Sequence, residues 1–259
     1  MHPVLFKLGP LKIYTYGFFV FLGISLGLVF ALKESKKEGI PRDRILDLIF
    51  WMLLYSFLSS RILYIVINFR YFIQEPLGFI FSGSGFVFYG GLLGGTIAAL
   101  FFINKYKLPL FKTFDILSCS LVLGHSLGRI GCFFYGCCYG VITNSFIGVL
   151  FPVGSPAGSV GNPLVPVQLI SSFFLIVIFV LLLLIRDRKL FDGEVFAAYI
   201  ILYSLFRFII EFYRSDPRGF FLSLSVAQWL SLLFFCAGLV FLFVRFRIFF
   251  STNIQRLSR

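Results

Sequence analysis

The side chains best suited to chemistry lie in the stretch GHSLGRIGCFFYGCCYG, which runs from Gly124 to Gly140. Within it, His125, Arg129 and Cys132 are separated by four and then three positions, so in a helix they share one face. Ionisable side chains at membrane depth are costly, and they usually line a bundle interior or a wet cavity where they serve function. Because the surrounding helix is apolar, the spacing predicts a functional face that carries a cation and a titratable ring.

Two further arginines, Arg61 and Arg207, also fall inside segments that are otherwise apolar. We expect the three arginines to meet at one depth, in the outward halves of their helices, as an anion site. The commonest anion there is a lipid phosphate, which a guanidinium binds through two parallel hydrogen bonds without losing its proton. Such a cluster could also stabilise a departing phosphate. An alternative stays open, since Glu211, one turn beyond Arg207, could form a purely structural ion pair with it.

The elements that would hold these residues are membrane helices. Hydrophobic residues make up 59% of the chain and charged residues only 13%. A helix needs roughly 20 apolar residues to cross the hydrocarbon core of a bilayer. We therefore predict an all-α integral membrane protein in which residues 1–259 form a single polytopic membrane domain. Its seven predicted transmembrane helices are Ile13–Leu32, Ile45–Ile67, Phe86–Ile103, Phe114–Phe134, Val167–Ile185, Val195–Phe212 and Leu222–Val244.

Basic residues predict the orientation of these helices. Fifteen lysines and arginines lie on the side that holds the C-terminal tail and the loops after the first, third and fifth segments, and five lie on the opposite side. The positive-inside rule then places the N-terminus outside and the C-terminus in the cytoplasm. The basic cluster follows the first apolar run, the reverse of a secretory signal, so we expect that segment to stay. Most of the net charge of +12 then lies at the cytoplasmic surface, where it would contact anionic lipid headgroups. This placement argues against nucleic acid as a partner.

A Gly- and Pro-rich loop, Tyr135–Pro166, connects the fourth and fifth helices and contains no charged residue. Connections of about 30 residues are often lids or binding loops. The predicted orientation puts this loop on the outer side. We therefore expect it to lie beside the three arginines.

The cysteines leave several interpretations open. With His125, the three residues Cys132, Cys137 and Cys138 could bind zinc, but structural zinc sites usually pair CxxC-like units, and this spacing is not one of them. A disulfide between Cys132 and Cys137, or between Cys137 and Cys138, could brace the turn on the outer side. One cysteine could instead be a catalytic thiol, and His125 could be a core histidine or a base. We expect no bound metal and no cofactor.

The sequence GRIGCFFYGCCYG resembles the signature of the prolipoprotein diacylglyceryl transferases, whose usual form is a Gly-Arg-x-Gly-Asn-Phe run that ends in glycine. The resemblance extends over essentially the whole chain, and its central and late motifs are fairly specific. The other landmarks, in chain order, are Tyr16-Gly17, Arg61, Tyr89-Gly90-Gly91, Pro166-x-Gln168-Leu169 and FRFIIEFYR at Phe206–Arg214.

The resemblance implies a seven-helix enzyme of the bacterial inner membrane. It would move the diacylglyceryl group of phosphatidylglycerol onto the lipobox cysteine thiol of a preprolipoprotein, and glycerol phosphate would leave. Its partners would be phosphatidylglycerol and the lipobox peptide. By the same resemblance, Arg129 and Arg207 correspond to the essential arginines and would be catalytic. The expected substrate-binding residues are Arg129, Arg61, the family's tyrosine Tyr16, its acid Glu211, Gly90, Gly91, the closing glycine Gly140 and Gln168.

Three positions depart from the family's usual pattern. Tyr89 stands where the family has a histidine, Cys132 where it has an asparagine, and Cys137 where it has a glutamate. The commonly proposed base is therefore missing, although an acceptor thiol with a pKa of about 8.5 must lose its proton to attack well. We hypothesise that His125 is the catalytic base and that Tyr89 assists catalysis through a hydrogen bond.

The changed positions keep two alternatives. One is a paralogue of the same fold that lipidates a different acceptor. The other is a phospholipid-binding or transport membrane protein that performs no chemistry. The glycine pairs in the third segment permit close helix packing and could also admit a lipid headgroup to the backbone, and these two roles are compatible.

Overall fold

The computed structural model of the protein describes residues 4–8, 11–81, 85–216 and 219–257. Most of these residues are helical. The helices are α1 (Thr15–Lys37), α2 (Arg42–Ile67), α3 (Phe69–Gln74), α4 (Pro76–Phe81), α5 (Phe88–Lys105), α6 (Leu110–Tyr135), α7 (Val167–Asp187), α8 (Glu194–Glu211) and α9 (Val226–Leu257). The strands are β1 (Val4–Leu8), β2 (Leu11–Tyr14), β3 (Phe220–Phe221) and β4 (Leu224–Ser225). Arg218 and Arg259, which belong to the predicted charge pattern, lie outside the described residues.

A long helix occupies each of the seven predicted membrane segments. Among the described helices, five are long and apolar enough to cross a bilayer, namely α1, α2, α6, α7 and α9. The other two, α5 and α8, have 18 residues each, near the lower limit for a span. Helix α5 contains two Gly-Gly pairs, and α8 contains three charged residues. The prediction of an all-α protein is confirmed, whereas seven spans and their orientation stay predictions.

Three helices begin later than the sequence indicated: α5 begins at Phe88 instead of Phe86, and a strand pair precedes each of the other two, α1 and α9. Ile13, predicted to be helical, lies in β2 opposite Phe6 of β1, so α1 begins at Thr15. Leu222 and Ser223 form the turn between β3 and β4, with φ angles of 46° and 64°, and α9 begins only at Val226. Positive φ at both central residues is typical of a two-residue hairpin turn. Apolar content alone does not distinguish such short strand pairs from the first turn of a helix.

The chain divides into two compact units, the first of which comprises Met1–Ala31 and Phe114–Arg259. Its core is formed by α6, α7 and α8. Asp115 of α6 accepts hydrogen bonds from the backbone N–H groups of Gly193 and Phe196, each at 2.9 Å, and so caps the start of α8. A Cβ added to Gly23 of α1 would lie 2.7 Å from the carbonyl oxygen of Gly124 in α6, so these two backbones touch. The buried core side chains are Cys119, Val122, Leu175, Ile178, Leu182 and Val195.

The second unit comprises Leu32–Thr113 and consists mainly of α2 packed along α5. Glycines of α5 make this packing close. A Cβ on Gly90 would lie 2.6 Å from the carbonyl oxygen of Ser59, and one on Gly91 would lie 3.0 Å from Ser56 Oγ. Both glycines are buried. These contacts support the packing role of the glycine pairs within this unit.

Candidate active site

The face of α6 that carries His125 and Arg129 is the centre of the candidate active site. Arg129 Nε donates a hydrogen bond to His125 Nε2 at 3.1 Å, in agreement with their four-residue spacing. Since an arginine has no acceptor, His125 must accept through Nε2, which places the proton of its neutral ring on Nδ1. The ring of Tyr203 on α8 lies 5.6 Å from the His125 ring, centroid to centroid. His125 is thus held against α8 with its Nε2 lone pair engaged.

An ion-pair network lies at the end of α8. Glu211 Oε2 is 2.5 Å from Arg207 Nη1 and 4.0 Å from Arg214 Nη1. The other carboxylate oxygen of Glu211 accepts a hydrogen bond from Ser225 Oγ of β4 at 2.9 Å. Asp216 accepts two hydrogen bonds from Arg214, at 3.2 and 3.0 Å. The pairing of Arg207 with Glu211, which the sequence left open, is present, and the 2% exposed Glu211 side chain ties α8 to β4.

Arg129 differs from these arginines because no carboxylate pairs with it in the part of the chain that the structure describes. Its hydrogen bond to His125 uses Nε, and within those residues the terminal nitrogens Nη1 and Nη2 have no hydrogen-bonding partner. Arg129 and Arg207 also act on one another electrostatically. The described part of this region holds three arginines and two carboxylates, Glu211 and Asp216, and the guanidinium of Arg129 can attract an anion such as a phosphodiester.

The turn after α6 brings Cys137 back to Cys132. Gly136 has a φ of 81°, and its N–H donates to the carbonyl oxygen of Phe133 at 3.2 Å. The N–H of Cys137 donates to the carbonyl oxygen of Cys132, also at 3.2 Å. This is the Schellman pattern, which places the side chains of these two cysteine positions in contact. Cys138 follows with a φ of 57°. The Sγ atoms of the three cysteines consequently lie within 4.8 Å of one another, and all are free thiols.

The contacts within this cysteine cluster (Cys132, Cys137 and Cys138) distinguish its members chemically. Hydrogen bonds from the other two thiols, together with the charges of Arg214 and Arg129, lower the pKa of the Cys138 thiol. Hydrogen bonds with Cys132 and Cys138 raise the pKa of the Cys137 thiol.

Two buried residues fix the backbone of this turn. Gln168, fully buried at the start of α7, donates through Nε2 to the carbonyl oxygen of Cys137 at 2.7 Å. Gly140 forms a bridge with Arg214, and its N–H donates to the carbonyl oxygen of Val165 at 3.2 Å. A Cβ on Gly140 would lie 2.6 Å from that oxygen, so no larger residue fits without a shift. Gln168 and Gly140 therefore position the turn beside the arginines.

Tyr16 lies in the same region. It is 43% exposed at the start of α1, and its ring centroid is 6.1 Å from that of Tyr135 at the end of α6. A Cβ on Gly131 of α6 would lie 3.2 Å from the Tyr16 carbonyl oxygen, so α1 passes close to α6 here. Tyr16 also acts electrostatically on Arg129 and the cysteine cluster. Its exposed ring is thus available to a substrate that reaches Arg129.

Arg61, in the second unit, makes contacts of its own. Its Nη1 donates to the carbonyl oxygen of Gly85 at 2.9 Å, and its Nη2 donates to that of Phe79. The guanidinium lies 5.2 Å from the centroid of the Phe86 ring. Arg61 therefore ties the segment after α2 to that helix. Its expected meeting with the other two arginines stays a prediction.

Tyr89 also belongs to the second unit. It lies in the first turn of α5, is 39% exposed and contacts the ring of Phe88. Its expected assistance to His125 stays a prediction, as does headgroup binding by Gly90 and Gly91.

The loop between α6 and α7 has a small core of its own. Phe151, Ala157 and Leu164 are buried together, and Leu164 exchanges two backbone hydrogen bonds with Val149, at 2.9 and 3.0 Å. The N–H of Ala157 donates to the carbonyl oxygen of Gly136 at 2.9 Å, which joins the loop to the cysteine turn. The loop is thus packed against the turn that carries Cys137 and Cys138.

Sequence reasoning missed Asp216 and Ser225. Asp216 follows Arg214 by two residues, a short-range signal that the sequence offered. Ser225 reaches Glu211 only because β3 and β4 form a hairpin, so no local pattern indicated that contact.

Comparison with known proteins agrees with this arrangement. A family model described as prolipoprotein diacylglyceryl transferase matches residues 3–244. The chain is 38% identical over 248 residues to the phosphatidylglycerol–prolipoprotein diacylglyceryl transferase of Clostridium tetani, a match that covers 95% of this chain and 99% of the relative. It is 36% identical over 241 residues to transferase 2 of Clostridium perfringens, with 93% and 94% covered, and 33% identical to the Shouchella clausii enzyme, with 91% and 87% covered. These matches and the apolar helices show that the chain is a multi-pass membrane protein that belongs to the prolipoprotein diacylglyceryl transferase family.

Proposed function

We propose that this protein transfers the diacylglyceryl group of phosphatidylglycerol to the lipobox cysteine thiol of preprolipoproteins, a step of lipoprotein maturation that releases glycerol phosphate. Relatives matched over nearly their full length carry the name of this transferase. The observation that carries the proposal is the state of Arg129. Arg207 and Arg214 are held by Glu211 and Asp216, whereas the terminal nitrogens of Arg129 have no carboxylate partner among the described residues. These two nitrogens can donate two parallel hydrogen bonds to the oxygens of a phosphodiester.

The reaction follows from this geometry. Arg129 binds two oxygens of the phosphodiester, and the acceptor thiol gives its proton to His125. The sulfur then bonds to the glyceryl carbon that carries the phosphate oxygen, and the carbon–oxygen bond breaks with its electron pair on oxygen. Glycerol phosphate leaves with one more negative charge than the diester had. Arg129 and Arg207 stabilise that developing charge.

His125 can accept the proton only when its Nε2 is released from Arg129. We propose that phosphate binding brings about this release, because the anion attracts the guanidinium away from the neutral ring. The base then becomes active only when the lipid is in place, which protects the thiol from unproductive deprotonation.

We also propose a single polytopic domain with seven spans in the bacterial inner membrane, with the N-terminus outside and the C-terminus cytoplasmic. The lysines and arginines at the end of α1, at the start of α2 and in the loop after α7 support this orientation. Reporter fusions near Lys189 and near Asn144 should report opposite sides of the membrane. Reports from the same side would contradict this topology.

The decisive experiment incubates the purified protein with a lipobox peptide and either phosphatidylglycerol or phosphatidylethanolamine. A thioether product with phosphatidylglycerol alone, detected by mass spectrometry, supports the proposal. A peptide with serine in place of the lipobox cysteine is the control and should stay unmodified. Lipid binding without any product would refute the transferase and favour a lipid-binding protein.

A paralogue that lipidates another acceptor is the second candidate, because Tyr89, Cys132 and Cys137 replace the family's usual residues. Rescue of a bacterium depleted of its own transferase separates the two. The proposed function predicts rescue, and a paralogue with another acceptor would fail.

A further inference from the structure

The cysteine cluster takes no part in the transfer step derived above, yet the backbone is arranged to bring its thiols together. The Schellman turn places Cys137 against Cys132, the positive φ of Cys138 turns the chain again, and Gln168 anchors the turn through the carbonyl oxygen of Cys137. The three Sγ atoms lie within 4.8 Å of one another. In a tetrahedral site with Zn–S bonds of about 2.3 Å, the sulfurs are about 3.8 Å apart. Small side-chain movements would therefore complete such a site.

The number and chemistry of the donors favour a metal over a disulfide. A disulfide would use two of these thiols and leave the third unpaired, whereas a zinc ion can use all three. Soft thiolates select zinc, copper(I) and iron–sulfur clusters, and zinc is the one of these that commonly binds as a single tetrahedral ion with an open position. Zinc with three thiolates carries a formal charge of −1, and it would lie near the positive charges of Arg129 and Arg214, which act electrostatically on Cys138. The sequence led us to expect no metal because the spacing lacks a CxxC pair. The turn nevertheless brings the three Sγ atoms within 4.8 Å of one another.

The cluster would leave one coordination position open. In the described part of the chain, no histidine or carboxylate joins the three cysteines. His125 does not supply the fourth ligand through Nε2, because that nitrogen accepts the hydrogen bond from Arg129. Three protein ligands and one open position are typical of catalytic zinc sites. A thiol that occupies such a position loses its proton.

We propose that Cys132, Cys137 and Cys138 bind one Zn²⁺ ion whose open position takes the acceptor thiol as a thiolate. Zinc binding stands by itself, whereas the activation of the acceptor rests on the proposed function. The S–H proton goes to His125, the zinc-bound sulfur bonds to the glyceryl carbon, and the electron pair of the broken carbon–oxygen bond leaves with glycerol phosphate. The neutral thioether then dissociates from zinc. The step consumes no oxidant or reductant. This zinc would supply the thiolate in a chain that lacks the family's usual glutamate.

The first test measures metal content. The full-length protein is purified in detergent with Zn²⁺ supplied, and bound metal is counted by mass spectrometry of the elements. We expect about one zinc per chain, and zinc affinity lowered by at least about tenfold in C132S, C137S and C138S. C236S is the matched control, because Cys236 is an exposed thiol on α9, and it should bind zinc as the wild type does. Absence of zinc, copper in its place, or a disulfide within the cluster would overturn the proposal.

The second test uses Co²⁺ in place of zinc to follow the open position. Adding the lipobox peptide should strengthen the thiolate-to-cobalt charge-transfer absorption, and the serine peptide should leave it unchanged. An unaltered spectrum with the cysteine peptide would overturn acceptor binding to the metal. Thioether formation by a zinc-free protein would refute this inference and leave the proposed function standing. Zinc binding and a peptide-dependent cobalt spectrum without thioether would refute the proposed function and retain the metal site.

Discussion

In the mechanism that we propose, transfer depends most on the two terminal nitrogens of Arg129, and Arg129→Lys tests this while the positive charge is kept. A lysine cannot form two parallel hydrogen bonds to a phosphate as a guanidinium does, since its three donors sit on one nitrogen. A hydrogen bond to a charged group contributes about 1.5–3 kcal/mol, and removal of one donor from a transition-state anion site costs about 2.7–4 kcal/mol. We take a loss of about 3 kcal/mol, which corresponds to roughly 10²-fold in kcat/KM.

The assay measures initial rates of thioether formation by purified protein over a range of phosphatidylglycerol concentrations. R129K should lower kcat, because the charge on the phosphate grows as the bond to carbon breaks. R186K is the control, since Arg186 is bonded to Asp187 at 2.7 Å near the end of α7 and has no place in the candidate site. Because Arg186 lies outside the candidate site and lysine keeps its charge, R186K should change kcat/KM by no more than about twofold.

Two results would refute this reasoning. If R129K transfers at the wild-type rate, a positive charge alone is sufficient and the two parallel hydrogen bonds to the phosphate have no role. If R129K raises KM with kcat unchanged, Arg129 binds the lipid equally in the ground state and the transition state, and the stabilisation of the leaving group must come from elsewhere.

Three further substitutions test the surrounding site. His125→Gln should abolish transfer and leave phosphatidylglycerol binding intact, because an amide cannot take the thiol proton; retained turnover in the peptide assay would contradict that role. Glu211→Gln should lower the free energy of unfolding by about 3–5 kcal/mol, because it leaves the buried charge of Arg207 without its partner; a thermal melt in detergent measures this, and an unchanged Tm would argue against the network. Gly140→Ala should cost about 1–3 kcal/mol by overpacking, since its Cβ would lie 2.6 Å from the Val165 carbonyl oxygen. Gly128→Ala is its control, because a Cβ there meets nothing within 4 Å, and equal Tm values for the two variants would refute the packing argument.

The parts of the fold that the sequence predicts are those set by local composition. Long apolar runs identify all seven long helices, and a four-residue spacing is enough to bring His125 and Arg129 into contact, since both properties depend on one helix alone. The alternative pairing of Arg207 with Glu211 followed from the same periodicity.

The parts that sequence reasoning missed depend on pairing between distant or turn-forming residues. The apolar run predicts that Ile13 begins a membrane helix, but Ile13 pairs with Phe6 and is a strand residue. The close approach of the three cysteine thiols depends on a helix-terminating turn that brings Cys137 to Cys132, and a regular spacing does not show it. The first contact depends on strand pairing and the second on how a helix ends, and the apolar pattern of the chain shows neither.

The position of Arg207 and Glu211 on one helix has a consequence for how the protein is made. Because they lie four residues apart, their ion pair can form as soon as α8 is wound, before any neighbouring helix arrives. In the seven-span arrangement that we propose, α8 would partition into lipid as a nearly neutral segment and avoid much of the roughly 2.5–3.5 kcal/mol that a lone arginine costs there. Arg129 has no such carboxylate among the described residues, so α6 would depend on earlier helices for its integration. The order of synthesis, with α1 preceding α6, provides one such neighbour in advance.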